Sequence, residues 1–245
     1  MARPSQNLDQ ALLASGRVLF PEAGCAGLAV RAVAEHAGVT PAMFHYHFGS
    51  KDEFLRTLLQ QMYEQMWATL AGSAQGAGAP LDRLRAALAT MARFARAQRP
   101  LLARVLLDAL AGEPVALEFV AKNAPRHLGL LAALLAEARA GGALAVAAPL
   151  QGLVFLLGAV LMPILFVSRL AERGALPALG AAGFDAQVMS DAAIDERIER
   201  ALAALALPLP ALSALSPLPV PVPSPASSPA TRGTRKGRRR TGGRT

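Results

Sequence analysis

The sequence predicts an all-α protein: an N-terminal three-helix helix-turn-helix domain followed by a larger helical domain. Three observations lead there. Apolar residues recur at three- and four-residue steps along most of the first 207 residues. No stretch alternates cleanly at period two, so no strand is predicted. The stretch 29–51, AVRAVAEHAGVTPAMFHYHFGSK, carries the start and stop signals of two short helices joined by a tight turn.

Within that stretch, Val30, Val33, Ala34 and Ala37 share one face of a helix. Gly38 follows, where a helix end wants a residue that tolerates a left-handed backbone. Val39 can plug the angle between the two helices. Thr40 is a good N-cap, and Pro41 suits the first helical position, which needs no amide donor. The second helix then runs to about Phe48. Ser50 opens a third, with Glu53 three residues on as its capping partner. Such a unit lays its second helix in the major groove of DNA.

The remaining elements follow in order. Asn7 to Phe20 reads as a first helix, with Asn7 and Gln10 as a capping pair and Leu8, Ala11, Leu12, Ser15 and Leu19 on one face. Pro21 to Gly27 reads as a turn. A three-helix unit of this size is small for an independent core, so it should lean on the helix that begins at Lys51. That helix reaches about Leu70 along Phe54, Leu55, Leu58, Leu59, Met62, Met66 and Leu70. Gly72 to Pro80 is a break. Helices are predicted over 81–97, from Pro100 to near Gly112, and from Pro114 to about Ala140 with a bend near Pro125. Arg173 to Ser190 reads as a Gly/Ala/Pro-rich loop. Ser190 or Asp191 can cap a last helix carrying Ile194, Ile198, Ala201, Leu202 and Leu205, which Pro208 ends. The domains expected are 1–50, 51–207 and a Pro-rich, basic tail over 208–245.

Ala143 to Ser168 contains no charged residue. It is long enough to span a bilayer, and equally suited to a buried subunit interface. Pro149 shortens the apolar helix, and Gln151, Gly152, Gly158 and Pro163 dilute it, which favours burial. The competing reading is a membrane-attached helical protein anchored by 150–167.

The charge balance restrains interpretation. Net charge is +8, yet seven of the 25 basic residues lie in Thr231 to Thr245, where no acidic residue occurs. The first 56 residues balance, with Arg3, Arg17, Arg31, Lys51 and Arg56 against five acids. Basicity is therefore a property of the tail, which should add salt-sensitive, sequence-blind affinity for DNA. The single Cys25 excludes an internal disulfide and a cysteine-rich zinc site. Met1 to Leu12 holds no apolar signal-peptide core, and a cytoplasmic location is expected.

The segment AEHAGVTPAMFHYHFGSKDEFL resembles the signature of the TetR (tetracycline-repressor-like) family of bacterial regulators. Gly38, Val39, Thr40, Tyr46, His47, Phe48, Ser50, Lys51 and Leu55 match that pattern without a gap. Two positions depart from it: Ala29 stands where the family usually has Thr or Ser, and His45 where it usually has Tyr. The resemblance covers about the first 60 residues. It implies a homodimeric, ligand-responsive transcription regulator, a repressor of a palindromic double-stranded DNA operator. It also implies a C-terminal ligand-binding and dimerisation domain, paired through helices 149–172 and 191–207, with an effector pocket among its helices.

Candidate DNA contacts are Arg31, Thr40, Pro41, Ala42, Met43, His45, Tyr46 and Lys51. Arginine reads guanine through paired donors, although Arg31 can equally pair with Glu35 one turn on. Ala42 and Met43 suit a thymine methyl, while His45 and Tyr46 suit phosphate oxygens. Lys51 opens a helix, where charge and dipole both favour phosphate. Phe44 and Phe48 should point inward. His45 and His47 cannot share a helical face, so no metal is expected; His47 should bond to backbone. No catalytic constellation or cofactor motif occurs, and Cys25 reads as a packed small residue.

Met62, Met66, Trp67, Met91, Phe94, Phe119, Phe155, Met162 and Phe166 are scattered over the later helices. Such residues are ordinarily core, yet methionine also lines adaptable sites. They are the candidates for an effector pocket, and the effector expected is an apolar small molecule.

Overall fold

The structure, a computed structural model, describes residues 4–145, 148–175 and 181–206. Only helices and turns occur among them. The tail over 208–245 lies outside the described residues.

Helix α1, Pro4–Gly27, is longer than its periodicity announces. It begins at Pro4, so Asn7 lies inside the first turns and not at a cap position; Gln10 instead accepts a hydrogen bond from Gln61 at 3.2 Å. The predicted turn at Pro21 is absent, because helix continues through the proline and breaks only at Gly24 (φ 68°, ψ −173°). The buried side chains of Phe20 and Cys25, on either side of the proline, hold this segment against the protein and override its local preference.

Helices α2 (Val30–His36) and α3 (Pro41–Phe48) form the predicted pair, with Gly38 at φ 70° in the turn between them. Val39 packs against the apolar cluster beneath the turn. Thr40 occupies the N-cap position, but its hydroxyl makes no capping bond. Helix α4, Lys51–Ala74, is capped as expected: the amide of Glu53 donates to Ser50 Oγ at 3.1 Å. It runs one turn beyond Leu70, because Ala74 finds a buried site, so the break narrows to Gln75–Ala79.

Helices α5 (Pro80–Ala97), α6 (Arg99–Leu110) and α7 (Pro114–Ala140) follow. Helix α7 passes through Pro125 without leaving helical geometry. Helix α8, Pro149–Met162, widens into a π-turn over Pro163–Val167 and resumes as α9, Ser168–Glu172. Pro163 withholds one amide donor, and the wider turn absorbs the loss. The predicted loop before the last helix contains helical turns among its described residues. Helix α10 (Ala181–Phe184) and a π-turn (Asp185–Met189) anchor it through buried Phe184 and Met189. Helix α11, Asp191–Ala206, is capped by Ser190 Oγ, which accepts from the Ala193 amide at 3.2 Å.

Two apolar clusters organise these helices. One joins Leu12, Phe20, Leu28, Val33, Phe44 and the first half of α4 to Leu101 and Val105 of α6 and Val115 of α7. The three-helix unit thus has no closed core of its own, as its size requires. The other cluster joins the second half of α4 to α5, α7, α8 and α11.

Candidate nucleic-acid interface

Phe44 fixes α3. Its ring is fully buried, 5.0 Å from Phe54 and 5.6 Å from Phe48, and Phe48 meets Phe54 edge-on at 5.0 Å. Aromatic contacts of this kind add about 0.5–1.5 kcal/mol each beyond their burial, so the helix is held firmly from behind. Its other side is open. Tyr46 is 81% exposed. Thr40, Pro41, Ala42 and His45 are exposed, and Met43 is half-buried.

The polar candidates differ in their freedom. The hydroxyl of Thr40, unused as a cap, is available to a phosphate. His45 places Nδ1 3.0 Å from the carbonyl of Gly49, which fixes that ring on the helix end. Arg31 lies exposed and paired with Glu35 at 2.8 Å, so contact with a base requires exchange of that partner. Lys51 is half-buried, and its ammonium donates to the carbonyl of Ala26 at 3.1 Å. It ties the start of α4 to the turn that precedes α2.

His47 departs from expectation. It is buried, and its Nδ1 rests against the carboxylate of Asp9 rather than a backbone carbonyl. Helix α1 crosses α3 at this point and brings the acid with it, which spacing within α3 could not reveal. A second tie escaped notice too: His36 Nδ1 lies 3.0 Å from Ser15 Oγ, joining α2 to α1.

The unit is fastened to α6 by a buried carboxylate. Asp108, with a side chain 6% exposed, accepts the Cys25 amide at 2.7 Å and Arg104 Nε at 2.8 Å. The Arg104 guanidinium lies directly on Gly24, where any Cβ would collide with it. Cys25 is buried beside Gly24. Burial first, and the neighbouring Asp108 second, push its thiol up to about 12.

Helix α6 also lines a partly open cavity of about 220 Å³, bordered by α4, α5, α7 and α8. Met62, Met66, Met91, Phe94 and Phe119 come together there, as do Tyr63, Leu102, Val105, Asn123 and His127, which periodicity had not singled out. Trp67, Phe155, Met162 and Phe166 lie outside it. Trp67 stacks under Arg126, whose guanidinium carbon is 4.5 Å from the ring centroid. Phe155 and Met162 are 43% and 49% exposed, because the face of α8 that carries them turns away from the core. A larger surface groove of about 780 Å³ runs between α4 and α7, but it is open and bordered by ion pairs such as Arg56–Glu118.

Residues 12–58 match the family model of the bacterial regulatory proteins, tetR family. The HTH-type transcriptional regulator BetI of Brucella suis biovar 1 (strain 1330) is 31% identical over 75 residues, which is 31% of this chain and 37% of BetI. The chain therefore spans little more than a third of that curated relative. A TetR-family transcriptional regulator from Agrobacterium tumefaciens shares the fold with a TM-score of 0.61 at 18% identity, covering 82% of this chain and 98% of that one. The TetR family transcriptional regulator PfmR from Thermus thermophilus does so with a TM-score of 0.53 at 23% identity, covering 60% and 81%. Such identities speak for fold alone. Over residues 12–58, the helix-turn-helix of this chain is similar to that of the bacterial regulatory proteins of the tetR family.

Proposed function

We propose that the protein is a homodimeric repressor whose two α3 helices enter successive major grooves of a near-palindromic operator, about 34–36 Å apart. The observation that carries this reading is the exposed face of α3, with Tyr46 outward and Phe44 locked behind it. Thr40, Tyr46 and Lys51 serve phosphates. Pro41, Ala42 and Met43 read thymine methyls, and His45 and Arg31 reach base or phosphate.

The experiment is a shift assay on the DNA upstream of the protein's own gene, with and without Tyr46→Ala. The variant should bind at least about fivefold more weakly, since one contact is lost from each of the two α3 helices, and should melt like the parent because the side chain is exposed. Unchanged affinity would remove α3 from the interface. Lys51→Ala is a poorer probe, since it also cuts the tie to Ala26.

The dimer would form on α8 and α11. Pro149–Glu172 is long and apolar enough to cross a membrane by composition. One face of it, through Leu153, Leu156, Val160 and Ile164, is packed within the second cluster. The opposite face leaves Leu150 at 74%, Val154 at 61% and Phe155 at 43% exposure. A second copy of the chain would cover this face, and obligate homodimers bury about 2,000 Å² or more on such surfaces. Val154→Glu would bring an unpaired charge into that contact. In sedimentation it should give monomers, with operator affinity falling at least tenfold as the second half-site is lost. A parent protein that sediments as a monomer, or fractionates with membranes, would favour anchoring by 150–167 instead.

The effector would occupy the cavity lined by α6, with Met62, Met66, Met91, Phe94 and Phe119 in contact. Helix α6 also holds the α1–α2 turn through Asp108, so effector and operator would oppose each other by linkage.

A further inference from the structure

We propose that the cavity selects a small neutral phenol or aryl alcohol, with the ligand hydroxyl held between Tyr63 and His127. This rests on reading the cavity as the effector site and specifies what enters it.

Size comes first. A cavity of about 150 Å³ lined by apolar side chains admits benzene, so the 220 Å³ here admits a molecule of about nine or ten heavy atoms. Charge comes next. Among the described residues, no Asp, Glu, Lys or Arg lines the cavity. Its one titratable base, His127, is held neutral, because burial pulls its pKa below the ordinary histidine value against a weaker pull from the Asn123 carbonyl. A carboxylate entering this space would lose its water and find no fixed cation.

The polar end is specific. The Tyr63 hydroxyl donates to the backbone carbonyl of Asn123 at 2.9 Å, and its oxygen lies 3.5 Å from His127 Nδ1. The Asn123 carboxamide is already engaged, donating to the Phe119 carbonyl at 2.9 Å and exchanging bonds with Gln60. The groups left to a ligand are therefore a lone pair on Tyr63 Oη and, with His127 Nδ1 facing Tyr63 and the ring protonated on Nε2, the Nε2–H donor of the neutral imidazole. A hydroxyl matches both: it donates to Tyr63 and accepts from His127. The walls choose the rest of the molecule. Thioethers of Met62, Met66 and Met91 favour contact with an aromatic ring, as do the rings of Phe94 and Phe119.

The test is calorimetric titration of the full chain near neutral pH with 4-propylphenol, propylbenzene and 4-methylbenzoate, none of which exceeds ten heavy atoms. The phenol should bind about three- to tenfold more tightly than propylbenzene. It should also bind at least tenfold more tightly than the benzoate. The double variant Tyr63→Phe, His127→Leu, checked for folding by circular dichroism, should bring the phenol and propylbenzene within twofold of each other. Equal binding of the two by the parent, tighter binding of the benzoate, or binding of none would overturn the proposal. Release of operator DNA by 4-propylphenol is scored separately. Binding without release leaves the ligand class standing and removes the effector role.

Discussion

Replacing Asp108 by Ala is expected to lower the melting temperature by roughly 4–12 °C, for a loss of about 2–3 kcal/mol. The cost comes mainly from one atom. The Cys25 amide is buried in the fastening between α1 and α6, and Asp108 Oδ2 accepts from it at 2.7 Å. Without the carboxylate this donor has neither protein nor water. The Arg104 pair contributes less, because Arg104 is about one-third exposed at 33% and can return to solvent. Three variants separate these contributions by thermal melting. Arg104→Ala should cost under about 1 kcal/mol, Asp108→Asn should recover most of the loss by keeping an acceptor, and Asp108→Ala should be worst. If Arg104→Ala proves as damaging as Asp108→Ala, the ion pair and not the amide bond holds the two parts together. The same series reports on coupling. Leu102, Val105 and Leu106 of α6 line the cavity while Asp108 grips the α1–α2 turn. Asp108→Ala should therefore blunt any effect of cavity occupancy on DNA affinity.

That fastening was not legible in the sequence, and the reason is physical. Asp108 and Cys25 are 83 residues apart, and nothing local marks either as a partner of the other. The same holds for His47 against Asp9, and for the Tyr63–Asn123–His127 group that α4 and α7 assemble. What was legible was local. Gly38, Pro41 and Ser50 encode backbone angles and caps, and they located α2, α3 and the start of α4 because those preferences act within a few residues. The long helices were legible from apolar spacing. Failures arose where tertiary burial overrode a local signal, as at Pro21 and in the segment around Phe184 and Met189. The scattered Met and aromatic candidates divided in the same way. Five face one cavity, while Trp67, Phe155 and Met162 have the same composition and spacing but face elsewhere, a distinction set by helix packing.

Gly16→Ala should destabilise the protein by about 1–2 kcal/mol, against the ordinary trend for a glycine inside a helix. In an open helix the exchange gains about 0.5–1 kcal/mol, since glycine loses more freedom on folding. At Gly16, however, the added methyl would stand 2.5 Å from Phe54 Cζ, 2.9 Å from Cε1 and 3.2 Å from Leu58 Cδ2. Neither neighbour has room to retreat, because both are fully buried. Overpacking of this kind costs about 1–3 kcal/mol and outweighs the gain. The displacement is transmitted, since the Phe54 ring lies 5.0 Å from both Phe44 and Phe48. Pushing it aside tilts α3, so operator affinity should fall even at temperatures where the variant remains folded. Gly16→Val adds two more methyls and should unfold the α1–α3 unit outright. Gly129→Ala supplies the contrast: that glycine is exposed in α7 with nothing within 4 Å, and the exchange should raise the melting temperature by roughly 1–4 °C. Melting curves of opposite sign, joined to a shift assay in which only the Gly16 variants lose DNA, would trace the path from α1 through Phe54 to the reading helix. A Gly16→Ala protein that melts higher and binds as the parent does would break that path at its first step.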